Sequence, residues 1–79
     1  MEKREIISWV KELICELLEY NENLQGEENL IELGMDSLKF VEMVLQIEEK
    51  YSIQIPDQQL NLLNLNCVNN IVKVIKELK

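Results

Sequence analysis

The sequence has no histidine, one proline, two glycines, two cysteines and four aromatic residues among its 79 positions. Each shortage excludes something. Without histidine, the commonest general base and metal ligand is missing, so the chain is read as a non-enzyme without a metal site. Ser37 has no candidate base arranged to activate it, which rules out a hydrolase triad. Two cysteines in a short chain without export signals are read as reduced thiols rather than as a disulfide framework. The apolar runs are short and broken by charges, so none is expected to span a bilayer. The opening stretch MEKREIISWV is charged but lacks an apolar block and a small-residue cleavage site, so no signal peptide is expected and the protein is placed in the cytoplasm. Its length suits a single domain over residues 1–79, read as a monomer.

Basic residues are also scarce. Eight Lys and Arg face 15 Asp and Glu, a formal net charge of −7. The imbalance sits in the middle of the chain. Residues 12–57 carry −10, whereas residues 1–11 carry +1 and residues 58–79 carry +2. Duplex nucleic acid needs a basic footprint and anionic membranes repel such a face, so neither is an expected ligand. The charge keeps a small protein soluble, and it also favours basic protein partners and speeds their arrival. With 47% hydrophobic residues, the chain is too apolar for a disordered tail.

What is present is helical periodicity. Ile6, Ile7, Val10, Leu13, Ile14, Leu17 and Leu18 form a stripe of period near 3.6, which predicts an amphipathic helix from about Glu2 to Tyr20. Trp9 falls at the edge of that stripe and Cys15 well off it. Residues 21–36 read as a long connection, with Asn21, Asn23, Gly26, Asn29 and Gly34 as turn residues. Leu24, Leu30, Ile31 and Leu33 are expected to pin it to the core. A second helix is predicted from about Ser37 to Tyr51, capped by Asp36 or Ser37. Pro56 stops any continuation. A short helical piece from Asp57 to Leu62 should follow, then a last helix from about Cys67 to Lys79 bearing Val68, Ile71, Val72, Ile75 and Leu78. Lys73, Lys76 and Lys79 suit the negative end of its dipole. The expected fold is an all-α bundle of three main helices and one short one.

The second helix has two apolar faces. Phe40, Met43, Val44, Ile47 and Tyr51 cluster on the side expected to face the core. Leu38, Glu42, Leu45 and Glu49 run along roughly the opposite side, with Val41 and Glu48 on a flank. Apolar anchors among charges suit a partner groove; alternatively, the long loop folds over Leu38 and Leu45 and buries them. Ser37 opens this helix after the bend that Gly34 permits. A phosphate ester there would lie beside free amides at the positive end of the dipole, although Ser or Asp before a helix is most often only a cap. Glu28, Glu32 and Asp36 are acids that could attract a divalent cation, but their spacing does not match a calcium loop, and they are read as solvated.

The run Leu33-Gly34-Met35-Asp36-Ser37-Leu38 resembles the prosthetic-group attachment motif of acyl and peptidyl carrier proteins. Val41-Glu42-Met43 and Ile47-Glu48-Glu49-Lys50-Tyr51 resemble that family's second helix. Ile53, Ile55, Pro56 and Asp57 resemble the approach to its short third helix, and Val68-Asn69-Asn70-Ile71-Val72 the start of its fourth. The resemblance covers nearly the whole chain. It implies a four-helix carrier fold and a 4′-phosphopantetheine arm, taken from coenzyme A by a phosphopantetheinyl transferase and joined to Ser37 through a phosphodiester. The arm's thiol would hold acyl or aminoacyl intermediates as thioesters for loading, transferring or condensing enzymes with basic docking surfaces. Asp36, Leu38, Glu42, Leu45, Glu48 and Glu49 match positions where the family meets its partners, and Val41 is counted with them. Lys39, Gln58, Gln59 and Cys67 depart from the pattern of fatty-acid carriers, and Asn66 is expected to cap the last helix in place of Cys67. Peptidyl carriers often have His where this chain has Asp36. These departures suit a discrete carrier in polyketide, nonribosomal peptide or related specialised metabolism. The alternatives are a housekeeping fatty-acid carrier and, from another class, an unmodified acidic helical adaptor docking a basic protein.

Overall fold

The computed structural model describes residues 2–61 and 63–78. Three α-helices carry the fold: α1 (Glu2–Leu18), α2 (Ser37–Tyr51) and α3 (Val68–Leu78). The fourth element is a single 3₁₀ turn, Asp57–Gln59. No strand occurs among the described residues. The expected boundaries of α2 hold at both ends. Leu62 and Lys79, the expected last residues of the short piece and of the last helix, lie outside the described residues.

Helix α1 stops two residues before the expected Tyr20. Glu19 takes a left-handed conformation (φ 53°), and the Tyr20 amide donates back to the Cys15 carbonyl at 2.9 Å while the Glu19 amide reaches Glu16 at 3.4 Å. This is the closure that normally uses glycine or asparagine. Helix α2 ends the same way, on Ser52 at φ 55°. The short helix is shorter than its propensities suggest because asparagines compete for the backbone. Asn61 Oδ1 accepts the Asn64 amide at 2.8 Å, and the Asn61 and Asn64 side chains both reach the Gln58 carbonyl.

The expected stripes meet in one core. Ile6, Val10, Leu13 and Ile14 of α1, Phe40, Met43, Val44 and Ile47 of α2, and Val68, Ile71, Val72 and Ile75 of α3 are buried together. Helix α1 packs against both other helices. Trp9, half-buried, meets Tyr51 edge to face at 5.5 Å between ring centroids, with the Lys50 ammonium 5.8 Å from its ring. Both cysteines are free and half-buried.

The long connection is built into this core rather than draped over it. Leu24 and Leu30 are buried and Leu33 packs against the core, as expected, but Ile31 is 43% exposed. The chain between Asn29 and Gly34 is wound into turns that point Leu30 inward and its neighbour outward. Met35, not expected in the core, is buried in its place. The connection is also stapled to the start of α3. The Leu30 amide donates to the Asn66 carbonyl at 2.8 Å, and the Asn69 amide, in the first turn of α3, donates to the Gly26 carbonyl at 3.0 Å. The cap expected of Asn66 thus comes from the loop; the Asn66 side chain instead accepts from Asn70 Nδ2 at 3.0 Å. Gly26 is required there twice over. Its φ is +111°, and a Cβ would lie 2.5 Å from Asn69 Oδ1.

No charged or polar side chain is buried among the described residues, so the acidic excess lies on a body only 28 × 28 × 19 Å across. At 0.01 M salt the screening length is about 30 Å, and at 0.1 M about 10 Å. Like charges therefore repel across the whole molecule at low salt and only locally at moderate salt. The melting temperature is expected to rise by several degrees between these conditions, and further with magnesium. Calorimetry across ionic strength checks this; a flat melting temperature would show that the repulsion is minor.

Candidate functional site

The site is assembled by the turn ahead of α2. The amide of Met35 donates to the Leu30 carbonyl at 2.9 Å, and Gly34 bends the chain at φ +115°. Nothing lies within 4 Å of where a Gly34 Cβ would stand, so this glycine supplies conformation, not clearance. Met35 then plugs into the core and fixes where α2 begins. The cap left open by the sequence is Asp36: its Oδ1 accepts the Lys39 amide at 2.9 Å, and its carbonyl accepts the Phe40 amide at 2.8 Å. Ser37, exposed, is the first residue of the helix. Among the described residues no acceptor is paired with the Ser37 or Leu38 amide, both of which precede the first intrahelical bond. An anion attached at Ser37 therefore meets two uncommitted donors and the positive end of the α2 dipole. The geometry fits a phosphodiester on this serine.

The stripe beside it is open. Leu38 is 76% exposed, Leu45 60% and Val41 51%, so the loop does not fold over these side chains. Glu42 and Glu49 are exposed between and beyond them. Glu48 differs from its neighbours. It is only partly exposed, and its carboxylate accepts the Ile55 amide at 2.8 Å. Periodicity placed it on a flank but could not reveal this bond, because its partner lies seven residues away and past the end of the helix.

A groove of ≈ 550 Å³ runs from Ser37 along α2, between Phe40, Val41, Val44, Leu45 and Glu48 on one side and Leu60 and Asn61 on the other. The sequence did not point to Leu60 or Asn61, which follow the 3₁₀ turn in a segment without periodicity. A second depression, between α1 and α3, shares no lining residue with it. Glu28, read as a solvated acid, is instead held by the loop. Its carboxylate accepts the Gln25 amide at 2.7 Å and the Gly26 amide at 2.9 Å. These bonds, led by that from Gln25, keep its carboxyl below the usual carboxylate range. No group of three or more Cys, Asp or Glu among the described residues is placed to hold a metal, and no helix among them is long and apolar enough to cross a membrane.

Comparison with known proteins shows the family. A family model described as "Phosphopantetheine attachment site" matches residues 8–75. The chain is 38% identical over 69 residues to a protein named acyl carrier protein from Wolinella succinogenes, covering 85% of this chain and 88% of that one. It is 39% identical over 66 residues to an acyl carrier protein homolog from Mycoplasmopsis pulmonis, covering 82% and 88% respectively. It is 34% identical over 79 residues to the meromycolate extension acyl carrier protein of Mycobacterium leprae, covering 98% of this chain and 67% of that one. Proteins of this kind are carriers rather than enzymes, hold 4′-phosphopantetheine covalently, and work with a phosphopantetheinyl transferase and acyl-handling enzymes. Since the match runs from α1 to α3 and takes in the whole turn that presents Ser37, the chain belongs to the acyl carrier protein family.

Proposed function

We propose that Ser37 is the residue that carries the 4′-phosphopantetheine arm. The observation that supports this best is its exposure at the first position of α2, beside two uncommitted amides, its own and that of Leu38. The arm, when bound, supplies the thiol that holds cargo as a thioester. The chain's own residues do the rest. Asp36 fixes the helix start, Met35 anchors it to the core, and Ser37 offers its hydroxyl to the transferase. The groove from Ser37 to Leu60 presents an apolar lining suited to the near end of an acyl chain.

Partners are proposed to dock on α2 through Leu38, Val41 and Leu45, with Asp36, Glu42, Glu48 and Glu49 supplying the negative field that steers basic surfaces. The protein acts as a cytoplasmic monomer. Its cargo belongs to specialised metabolism, of polyketide, nonribosomal peptide or specialised lipid type. Lys39, Gln58, Gln59 and Cys67 support that reading, as does similarity to a carrier named for meromycolate extension.

Intact mass after incubation with coenzyme A and a broad-specificity phosphopantetheinyl transferase tests the attachment. One added phosphopantetheinyl unit is expected. An unchanged mass with several such transferases would favour the unmodified adaptor. The docking face has its own test. Glu42→Lys reverses an exposed charge, so the fold should be nearly unaffected. Loading by a partner enzyme at low salt is expected to slow about tenfold, and an unchanged rate would remove Glu42 from the docking face.

A further inference from the structure

Glu48 sits where two roles compete. As one more acid on α2 it would add to the field that draws basic partners. The bonds around it give it a second role. Its carbonyl accepts the Ser52 amide and, at 3.2 Å, the Ile53 amide. Its carboxylate accepts the Ile55 amide at 2.8 Å. One residue thus gathers three of the four amides between Ser52 and Ile55, the segment that reverses the chain out of α2. Ile55 is buried, and Pro56 follows it with no amide of its own. Beyond Pro56 comes the 3₁₀ turn, and directly after it Leu60 and Asn61, which form the far wall of the groove beside Ser37. Glu48 also lines that groove from the α2 side. Among the described residues of α2 that line the groove, Glu48 is the one whose side chain hydrogen-bonds to the backbone leading to the opposite wall.

We infer that Glu48 is a positioning residue for the carrier function: its carboxylate latches the Ser52–Ile55 turn to α2 and so sets how firmly the Leu60–Asn61 wall closes the groove over an apolar cargo. This rests on the reading of Ser37 as the attachment site only for the cargo. The latch itself is a property of the unmodified chain. The physical reason is the strength of a charge-assisted bond from an amide that has no helical partner, at a point where proline offers no alternative donor.

Backbone amide exchange followed by NMR on the unmodified wild type, Glu48→Gln and Glu48→Ala tests the latch. Glutamine keeps an acceptor but loses the charge, so Ile55 should exchange about three- to tenfold faster in Glu48→Gln and about 10- to 100-fold faster in Glu48→Ala. The core amides of Ile14 and Ile75 should hold their protection, which separates local release from unfolding. The same three proteins, carrying an octanoyl thioester installed from octanoyl-coenzyme A by a phosphopantetheinyl transferase, are then exposed to hydroxylamine. Thioester cleavage should follow the same order, about tenfold faster in Glu48→Ala than in wild type. Ile55 exchange that stays within threefold of wild type in Glu48→Ala would overturn the latch. Faster exchange with an unchanged cleavage rate would overturn its control of the groove. Should Glu48→Ala fail to fold, the Glu48→Gln series decides alone, and no shift in it refutes the inference. If even the wild type takes up no octanoyl arm, it is the attachment reading that fails, and the exchange series still decides the latch.

Discussion

Replacing Ser37 by alanine is expected to abolish the mass gain on incubation with coenzyme A and transferase, while leaving stability within about 0.5 kcal/mol of wild type. The two halves of this result are independent. Loss of modification follows from loss of the only oxygen that Ser37 offers as a nucleophile. Preservation of stability follows from the cap. The carboxylate that accepts the Lys39 amide belongs to Asp36, so removing the serine hydroxyl costs the helix no capping bond. Asp36→Ala should show the converse, losing about 1 kcal/mol, within the 0.5–2 typical of caps, while still accepting the arm, though more slowly because Asp36 also belongs to the docking face. Intact mass and urea denaturation of the two variants check both halves. A Ser37→Ala protein that still gains mass would move the attachment site elsewhere. One that loses a full cap's worth of stability would contradict the observed hydrogen bonding.

Leu30→Ala should be the most damaging single change in the loop, costing about 2–5 kcal/mol. Leu30 is 0% exposed, and a chain of 79 residues has only about 4–12 kcal/mol to lose. Its truncation leaves a void in the core that cannot readily collapse, because the Leu30 amide is tied to Asn66 and its carbonyl to Met35. The effect should reach function. Leu30 and Met35 together place the start of α2, so modification of Ser37 should slow well before the protein is fully unfolded. The neighbouring variant Ile31→Ala provides the control. Ile31 is 43% exposed, and its truncation should cost no more than about 1 kcal/mol. Urea denaturation at neutral pH measures both. Equal losses from the two would mean that the connection lies on the surface as an ordinary loop.

The contrast between Leu30 and Ile31 marks the limit of periodicity. Within the helices the pattern was sufficient, since 3.6 residues per turn decides which side chains share a face. The four buried residues of α2 all lie on the face expected to be buried. In the connection no such period operates. Two adjacent apolar residues looked alike, and the turn from Asn29 to Gly34 separated them. The motif around Ser37 was legible as residues in a row, because a cap, a glycine bend and a helix start are all local features. The groove beside it was not, because its far wall comes from residues more than 20 positions along the chain.

The linear order of residues by itself determined the three helices, the buried face of each, the acidic middle and the serine at the start of α2, since all of these depend on neighbours within a few positions. Tertiary structure alone decided that Leu38 and Leu45 stay open to partners, that Gly26 caps α3 in place of Asn66, and that Glu48 turns its carboxylate to Ile55. Whether a side chain is covered, or a backbone amide already satisfied, depends on where distant segments come to rest, and chain closure over such distances is governed by packing rather than by local propensity.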